Sequence, residues 1–600
     1  MDRGDAGPSP SAQTAPAGSR PPLARRYRGL LHRLLPCLSW LTGYRRHDLG
    51  ADLVAGAITA AVLVPQAMAF GLLAGLSPAA GLYASLLPPL LYALLGTSRV
   101  LAVGPVSIAA IMVAHGLSSL PAGADPVAAA ALLALMASGV LLALGLLGLG
   151  WLANFLSHPV LSGFTSAAAV LIIGSQLPAL AGTRWLAEPG WSGVPSALVR
   201  ALGEVHGPTL ALGVLSAAVL LLASSPLERL LLAAGATRRR AVIVGRAVPL
   251  LVLVVATGAV AALSLDRAHG VAVVGAVPPG LPALSLPWPG FQAAAALFPA
   301  AVLIALVGYV ESVGIARTLA NRRRETIDPN QELIGLGAAN LGAALSGAMP
   351  VAGGLSRTMV NYNAGARTQA SAVVTALLVG LVVFAFMPLL EHVPRAALAA
   401  IIIVAVARLV DLRGLRAAWR YDRSDAAVML STALGVIVLG IEAGLMAGIV
   451  LSLLATVWKA SRPHVAELGR LPGSEHFRNV RRYRSLETWP SLLLLRVDEH
   501  LSFANSHWLE QYFAQSVAAH PGVRHVVLVA NAVNGIDTTA LEMLERLALS
   551  LREAGVTLHL AEVKGPVMDR LKRSSLLASM APGRVFLSAH EAVQELGKQH

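Results

Sequence analysis

A single cysteine, Cys37, stands in 600 residues. That excludes a disulfide framework and any cysteine-based metal site. Charge is scarce too: Asp, Glu, Lys and Arg make up 13% of the chain, against roughly 25% in an ordinary globular protein. The scarcity is concentrated. No such residue occurs from Pro126 to Thr183 or from Ala268 to Val310, runs of 58 and 43 residues. No Walker A pattern and no G-x-G-x-x-G run is present, so ATP drive and a dinucleotide cofactor have no support. No catalytic constellation stands out either, and the chain does not read as an enzyme. No signal peptide opens it: residues 1–22 are rich in Pro, Gly, Ala and Ser and read as a disordered tail.

What is present is apolar. Hydrophobic residues make up 56% of the chain, and the mean hydropathy is +0.67. One crossing of a bilayer core takes about 20 apolar residues, so each charge-free run crosses more than once. This is the pattern of a polytopic α-helical membrane protein. Lys and Arg number 46 against 32 Asp and Glu, a net charge of +14. In a membrane protein such a surplus collects at the cytoplasmic face, so it is no argument for nucleic acid.

Apolar windows predict fourteen spans near 50–72, 75–96, 105–118, 126–149, 156–175, 208–223, 241–264, 292–313, 331–347, 354–363, 366–388, 394–409, 425–441 and 443–459. Arg25, Arg26, Arg28 and Arg33 precede the first and place the N-terminus in the cytoplasm. With that orientation, the inside loops after spans 6, 8 and 12 carry thirteen arginines (229, 238–240, 317, 322–324, 408, 413, 416, 420 and 423). The outside loops after spans 5, 7 and 11 carry four: Arg184, Arg200, Arg267 and Arg395. The count agrees with positive-inside orientation. The domains read as a basic N-terminal segment at 1–45, a membrane domain at 46–460, a linker at 461–489 and a soluble domain at 490–600. The last alternates strands (Ser491–Val497, Val523–Ala530, Val556–Val563, Val585–Ala589) with helices, and an even number of crossings returns it to the cytoplasm.

Two of the spans are too short to cross. LAVGPVS (101–107) and PVAGGLS (350–356) each lead an extended piece, marked by Gly104 and Pro105 or Gly353 and Gly354, into a half-helix beginning near Ser107 or Ser356. Irregular backbone at membrane depth survives only inside protein or beside an aqueous cavity. A pair of such segments in corresponding halves points to a transporter substrate site, where two helix N-termini favour an anion. The competing reading is a pair of Pro-kinked full spans. Arg357 follows Ser356, and an arginine at membrane depth is costly enough to suggest function, unless it snorkels to the interface. Glu311 is the one charged residue of span 8, which suits a coupling role or an ion pair with Arg317. Gln66 stands alone in an apolar run, where a helix–helix hydrogen bond is the plain alternative to a ligand.

VPQAMAFGLLAGLSPAAGLYAS (64–85), LLGTSRVLAVGPVS (94–107), ESVGIARTLA (311–320) and NLGAALSGAMPVAGGLSRTMVNYNAGARTQ (340–369) together resemble the SulP inorganic-anion transporters. NAVNGIDTTALEMLERL (531–547) resembles the STAS domain that this family carries at its C-terminus. The resemblance implies fourteen spans as two inverted seven-span repeats, sorted into a core (spans 1–4 and 8–11) and a gate (5–7 and 12–14). It implies a homodimer, an elevator-like movement of core against gate, and an anion between half-helices 3 and 10. Carried onto this chain it nominates Gln66, Ser107, Ser356 and Arg357 for substrate and Glu311 for the co-ion. At the Gln66 position some bacterial relatives have Glu. Thr538 and Thr539 fall where related bacterial proteins carry a phosphorylated Ser, although Asp537 or Thr539 as a helix cap explains the pattern more simply.

Charge arithmetic addresses coupling. Two helix N-termini supply about +0.5 each and Arg357 +1, and an ionised Glu311 brings the total down to about +1. Protonating Glu311 restores about +2, so a divalent anion and a proton reinforce each other. The expectation is proton-coupled uptake of a small inorganic anion, sulfate first, in the inner or plasma membrane with both termini cytoplasmic and no metal or cofactor. Sodium coupling, bicarbonate or chloride exchange and dicarboxylate uptake stand behind it. From another class comes an anion sensor that signals to a cytoplasmic partner through the STAS domain.

Overall fold

The computed structural model describes residues 35–597 except 122, 155–156, 184–204, 225, 236–237, 276–279, 287 and 387–389. The N-terminal tail, its arginines, Arg184 and Arg200 lie outside the described residues. The chain divides into two compact units, Met1–Ile449 and Val450–His600.

The fourteen expected spans are helices α1 (Arg46–Leu73), α2 (Pro78–Leu95), α3 (Ser107–Ser118), α4 (Pro126–Leu146), α5 (His158–Ala181), α6 (Gly207–Ser224), α7 (Arg238–Ala262), α8 (Phe291–Arg323), α9 (Pro329–Leu345), α10 (Leu355–Ala364), α11 (Ala370–Ala385), α12 (Arg395–Ala407) and α13 (Arg423–Leu439), all in the first unit, and α14 (Ile441–Ser461), which runs across the division at 449. Among the described residues six of these, α1, α2, α4, α5, α8 and α14, are long and apolar enough to cross a bilayer unaided. α3 and α10 are the two short ones.

Packing sorts the helices into the two expected groups. α9 packs on α4 and α2, α11 on α1 and α2, α10 on α1, and α8 on α4 and α3. Separately, α5 packs on α13 and α12, and α6 on α12 and α7. α1 is the main element touching both groups, through α7 and α12. Lipid tails supply no hydrophobic drive between helices, so close backbone approach at small residues does that work. A Cβ on Gly81 would stand 1.8 Å from the Ala67 carbonyl oxygen in the core, and one on Gly163 2.2 Å from that of Met429 in the gate.

Two features differ from the sequence reading. α8 continues ten residues past the expected end at 313, carrying Arg317, Arg322 and Arg323 on helix before Arg324 stops it at φ 56°. Arginine is a good helix former and suits a helix C-terminus, so these charges extend the helix that they were expected to end. The basic loop after α12 likewise contains a helix, Leu412–Tyr421.

The second unit holds β3 (Val465–Arg470), β4 (Phe477–Asn479), β5 (Leu492–Val497), β6 (His525–Val529), β7 (Thr557–Ala561) and β8 (Val585–Phe586) in one sheet of order β4-β3-β5-β6-β7-β8. β5 to β8 are parallel, and β3 joins antiparallel to β5. Residues 461–489, expected as linker, therefore supply two strands: β3 completes an edge that β5 would otherwise leave open. Both sheet faces are covered, which is why β5 and β6 read as unbroken apolar runs. Leu493, Leu495, Val526 and Leu528 pack under α15 (Ser506–Ala518) and α16 (Thr538–Glu553), whereas Leu492, Leu494, Val527 and Val529 pack under α17 (Ala589–Leu596). Asp537 caps α16, its carboxylate accepting from Ala540 N at 2.8 Å and Phe503 N at 2.7 Å, and leaves Thr538 and Thr539 exposed on the first turn.

His559 on β7 is buried. Its Nδ1 accepts from the Arg584 amide at 3.1 Å, so Nε2 carries the proton and donates to His525 Nδ1 at 3.2 Å. Burial first, then the neighbouring His525 and Arg584, push its pKa down to about 4. The unfolded chain binds this proton near pH 6.5, so stability is full above that pH and is lost as pH falls toward 4. Hydrogen exchange of β6 and β7 amides in the full chain should show protection falling by about 2 kcal/mol between pH 7 and pH 4.5, and His559→Gln should flatten that slope. An unchanged slope in the variant would assign it to other groups.

Candidate functional site

The two Gly-marked segments meet. β1 (Val103–Gly104) and β2 (Ala352–Gly353) pair antiparallel, Val103 opposite Gly353 and Gly104 opposite Ala352, all four buried. β1 runs into α3 and β2 into α10, so both half-helices begin within a few residues of one ladder. The ladder satisfies part of the backbone that membrane depth would otherwise leave bare, and side chains satisfy more. Gly353 N donates to Ser312 Oγ at 2.8 Å, and Ala102 N donates to Thr358 Oγ1 at 3.1 Å. Asn361 Nδ2 donates to the Val100 carbonyl at 3.0 Å, and Gln369 Nε2 to that of Ser98. Asn340 both donates to the Val351 carbonyl at 3.0 Å and accepts from its amide at 2.9 Å.

Two buried carboxylates pin the flanks. Glu332 accepts from Thr97 N (2.7 Å), Thr97 Oγ1 (2.6 Å), Ser98 N (3.0 Å) and the Tyr92 hydroxyl (2.6 Å), holding the segment that enters β1. Asp52 accepts from Arg367 N (2.7 Å), Thr368 N (3.2 Å) and Thr368 Oγ1 (2.6 Å), holding the segment that leaves α10. None of these residues was singled out from the sequence. Glu332 and Asp52 stand near the starts of helical spans, and nothing local pairs them with residues more than 200 positions away.

Arg357 lies between the half-helix starts. It is 2% exposed, and its Nη1 donates to the Pro105 carbonyl across the gap to the α3 segment. Nε and Nη2 are buried without a hydrogen-bond partner among the described residues. Gly354 and Gly104 make room for the guanidinium: a Cβ on Gly354 would stand 2.8 Å from Nη2, and one on Gly104 3.4 Å from it. Gly354 has φ −90°, so space alone explains it. Glu311, one residue before Ser312 on α8, has a buried Oε2 with no partner among the described residues, and its charge and that of Arg357 act on each other. The two side chains form no ion pair within 4.0 Å.

Ser107 opens α3 and is half-buried, while Ser356 in the first turn of α10 is exposed, so the locus is open beside the serines and closed behind Arg357. Gln66 is buried on α1, one turn past Leu63, whose Cδ1 stands 3.7 Å from a Cβ on Gly104. Three residues on from Leu63, Gln66 shares the helix face that turns toward β1. One buried guanidinium, two helix starts, two serines and a carboxylate within electrostatic reach of the guanidinium come together here.

The fold defines a class, a polytopic helical membrane protein in which two half-helices start from one short buried ladder. The sulfate permease family model matches residues 49–432, and the STAS domain model matches residues 483–592. Probable sulfate transporter 4.2 of Arabidopsis thaliana is 34% identical over 574 residues, spanning 94% of this chain and 83% of that protein. A probable sulfate transporter of Mycobacterium tuberculosis is 35% identical over 554 residues, spanning 92% and 96%. The murine anion transporter Solute Carrier 26 family member A9, in an inward-facing state, superposes with a TM-score of 0.85 at 23% identity over 98% of this chain and 96% of that one. The chain belongs to the sulfate permease family and carries a STAS domain at its C-terminus.

The contact at Gly354 gives a graded expectation. Gly354→Ala forces the Arg357 guanidinium off its place, and sulfate affinity measured by calorimetry should fall about tenfold, ~1.4 kcal/mol. Gly104→Ala meets only ordinary contact and should stay within about twofold of the parent. Equal losses in both would mean that the Gly354 contact does not set the arginine.

Proposed function

We propose that this protein is a secondary active transporter of small inorganic anions, with sulfate as its first substrate and a proton as co-ion. The observation that carries the reading is Arg357, buried between two half-helix starts with two guanidinium nitrogens unpartnered among the described residues. An anion there accepts charge-assisted bonds from those nitrogens and faces the positive ends of the α3 and α10 helix dipoles. Ser107 and Ser356 add hydroxyls from the open side, and Gln66 closes the α1 side. The names of the relatives favour sulfate.

Glu311 supplies the coupling in this reading. Its negative charge opposes a divalent anion, and a proton removes the opposition, so each ligand raises the affinity for the other. The separately packed core and gate groups support an elevator-like movement, with the core carrying the anion and α1 sliding against α7 and α12. The protein acts as a homodimer in the cell membrane with both termini in the cytoplasm, where the STAS domain is available to partners. Radiolabelled sulfate uptake into proteoliposomes tests the reading: an inward proton gradient should drive accumulation, and a sodium gradient should not. Accumulation driven by sodium alone, or strict one-for-one exchange, would overturn the coupling.

A further inference from the structure

The helix Leu412–Tyr421, between α12 and α13, buries none of its residues, yet it is strongly two-sided. Leu412, Leu415 and Trp419 recur at spacings of three and four, which puts them on one face. Arg413, Arg416 and Arg420 repeat the same spacing one residue on and form a basic flank beside it. Leu412, Trp419 and Tyr421 are 71%, 54% and 94% exposed, and all three arginines are exposed. In water such a face would be a liability.

Its pose is fixed. The Asp411 carboxylate caps the helix through Gly414 N at 2.7 Å and accepts from Ser162 Oγ on α5 at 3.2 Å, while Asp411 N donates to Ser166 Oγ at 3.0 Å. At the other end, Asp422 accepts from Ser424 N at 2.8 Å and starts α13. A short helix tied at both ends to membrane-spanning helices lies where the bilayer meets water. An apolar face with Trp, flanked by Arg, matches that boundary: rings and aliphatic groups enter the acyl region and guanidinium groups meet phosphates.

We propose that Leu412–Tyr421 is an interfacial helix that binds anionic lipid headgroups of the leaflet it faces, so that the gate is anchored to the bilayer by charge. Charge complementarity selects this occupant: three exposed arginines on one flank favour a negatively charged headgroup over a zwitterionic one, by about fivefold for each charge near the surface at low salt. The lone Cys37 makes the test clean. In a Cys37→Ser background, Tyr421→Cys carries an environment-sensitive fluorophore in full-length protein reconstituted in nanodiscs. Brominated phosphatidylglycerol at a tenth of the lipid should quench it severalfold more than brominated phosphatidylcholine, and about 0.5 M salt should reduce the difference. Arg413→Gln, Arg416→Gln and Arg420→Gln combined should abolish the preference while the melting temperature in detergent stays unchanged. Equal quenching by both lipids, or none by either because protein covers the face, would overturn the proposal. A single Arg416→Gln variant, expected to show an intermediate preference, keeps the test decisive if the triple variant does not fold.

Discussion

Arg357→Ala is expected to abolish saturable sulfate binding and uptake. The Arg357 guanidinium supplies a full positive charge at the proposed locus, and without it the balance with an ionised Glu311 falls from about +1 to about 0. Two or more charge-assisted bonds, each worth about 1.5–3 kcal/mol, are lost with it, so affinity should drop by at least 100-fold. Arg357→Lys keeps the charge but not the planar fork, and should retain weak binding. Folding should survive, because the ladder, Ser312, Thr358 and Asn340 hold the half-helices without the arginine. Calorimetry with sulfate, beside gel filtration and circular dichroism, reads all three results. Wild-type affinity in the alanine variant would mean that the anion lies elsewhere.

The second large effect belongs to Glu311→Gln, which holds the site in the charge state of the protonated acid. Sulfate binding should persist and lose its dependence on pH between 5.5 and 7.5. Uptake driven by an inward proton gradient should vanish, because no proton is now bound and released, while sulfate-for-sulfate counterflow continues. On the proposed function the direction follows from the sign: an ionised Glu311 lowers the positive charge at the locus, so anion binding by the parent should weaken as pH rises. If the variant still accumulates sulfate against its gradient under a proton gradient alone, the coupling residue is another.

Much of this architecture was legible before any coordinates. Fourteen spans follow from apolar windows because bilayer thickness sets one length for every crossing. The two half-helices announced themselves by being short and led by Gly or Pro. Arg357 and Glu311 stood out because charge is rare there. The polar side chains that hold the site together were less visible, since each partner pair is far apart in sequence: Thr358 meets Ala102, and Glu332 meets Thr97. Such pairings depend on the fold and have no local pattern. The helix at 412–421 was hidden for a different reason. Its arginines were counted for topology, and counting charges discards the spacing that makes them amphipathic. β3 and β4 were missed because short edge strands with mixed polar residues resemble a linker until a neighbouring strand is there to pair with them.

On the proposed function the anion sits at the meeting of the α3 and α10 starts, against Arg357. Selenate has the charge and shape of sulfate and scatters anomalously, so its location can be read directly from crystals grown with it. A selenium peak is expected within hydrogen-bonding distance of the Arg357 guanidinium and beside the helix starts at Ser107 and Ser356, absent in Arg357→Ala. A peak away from both half-helix starts, or one that persists undiminished in the variant, would contradict it.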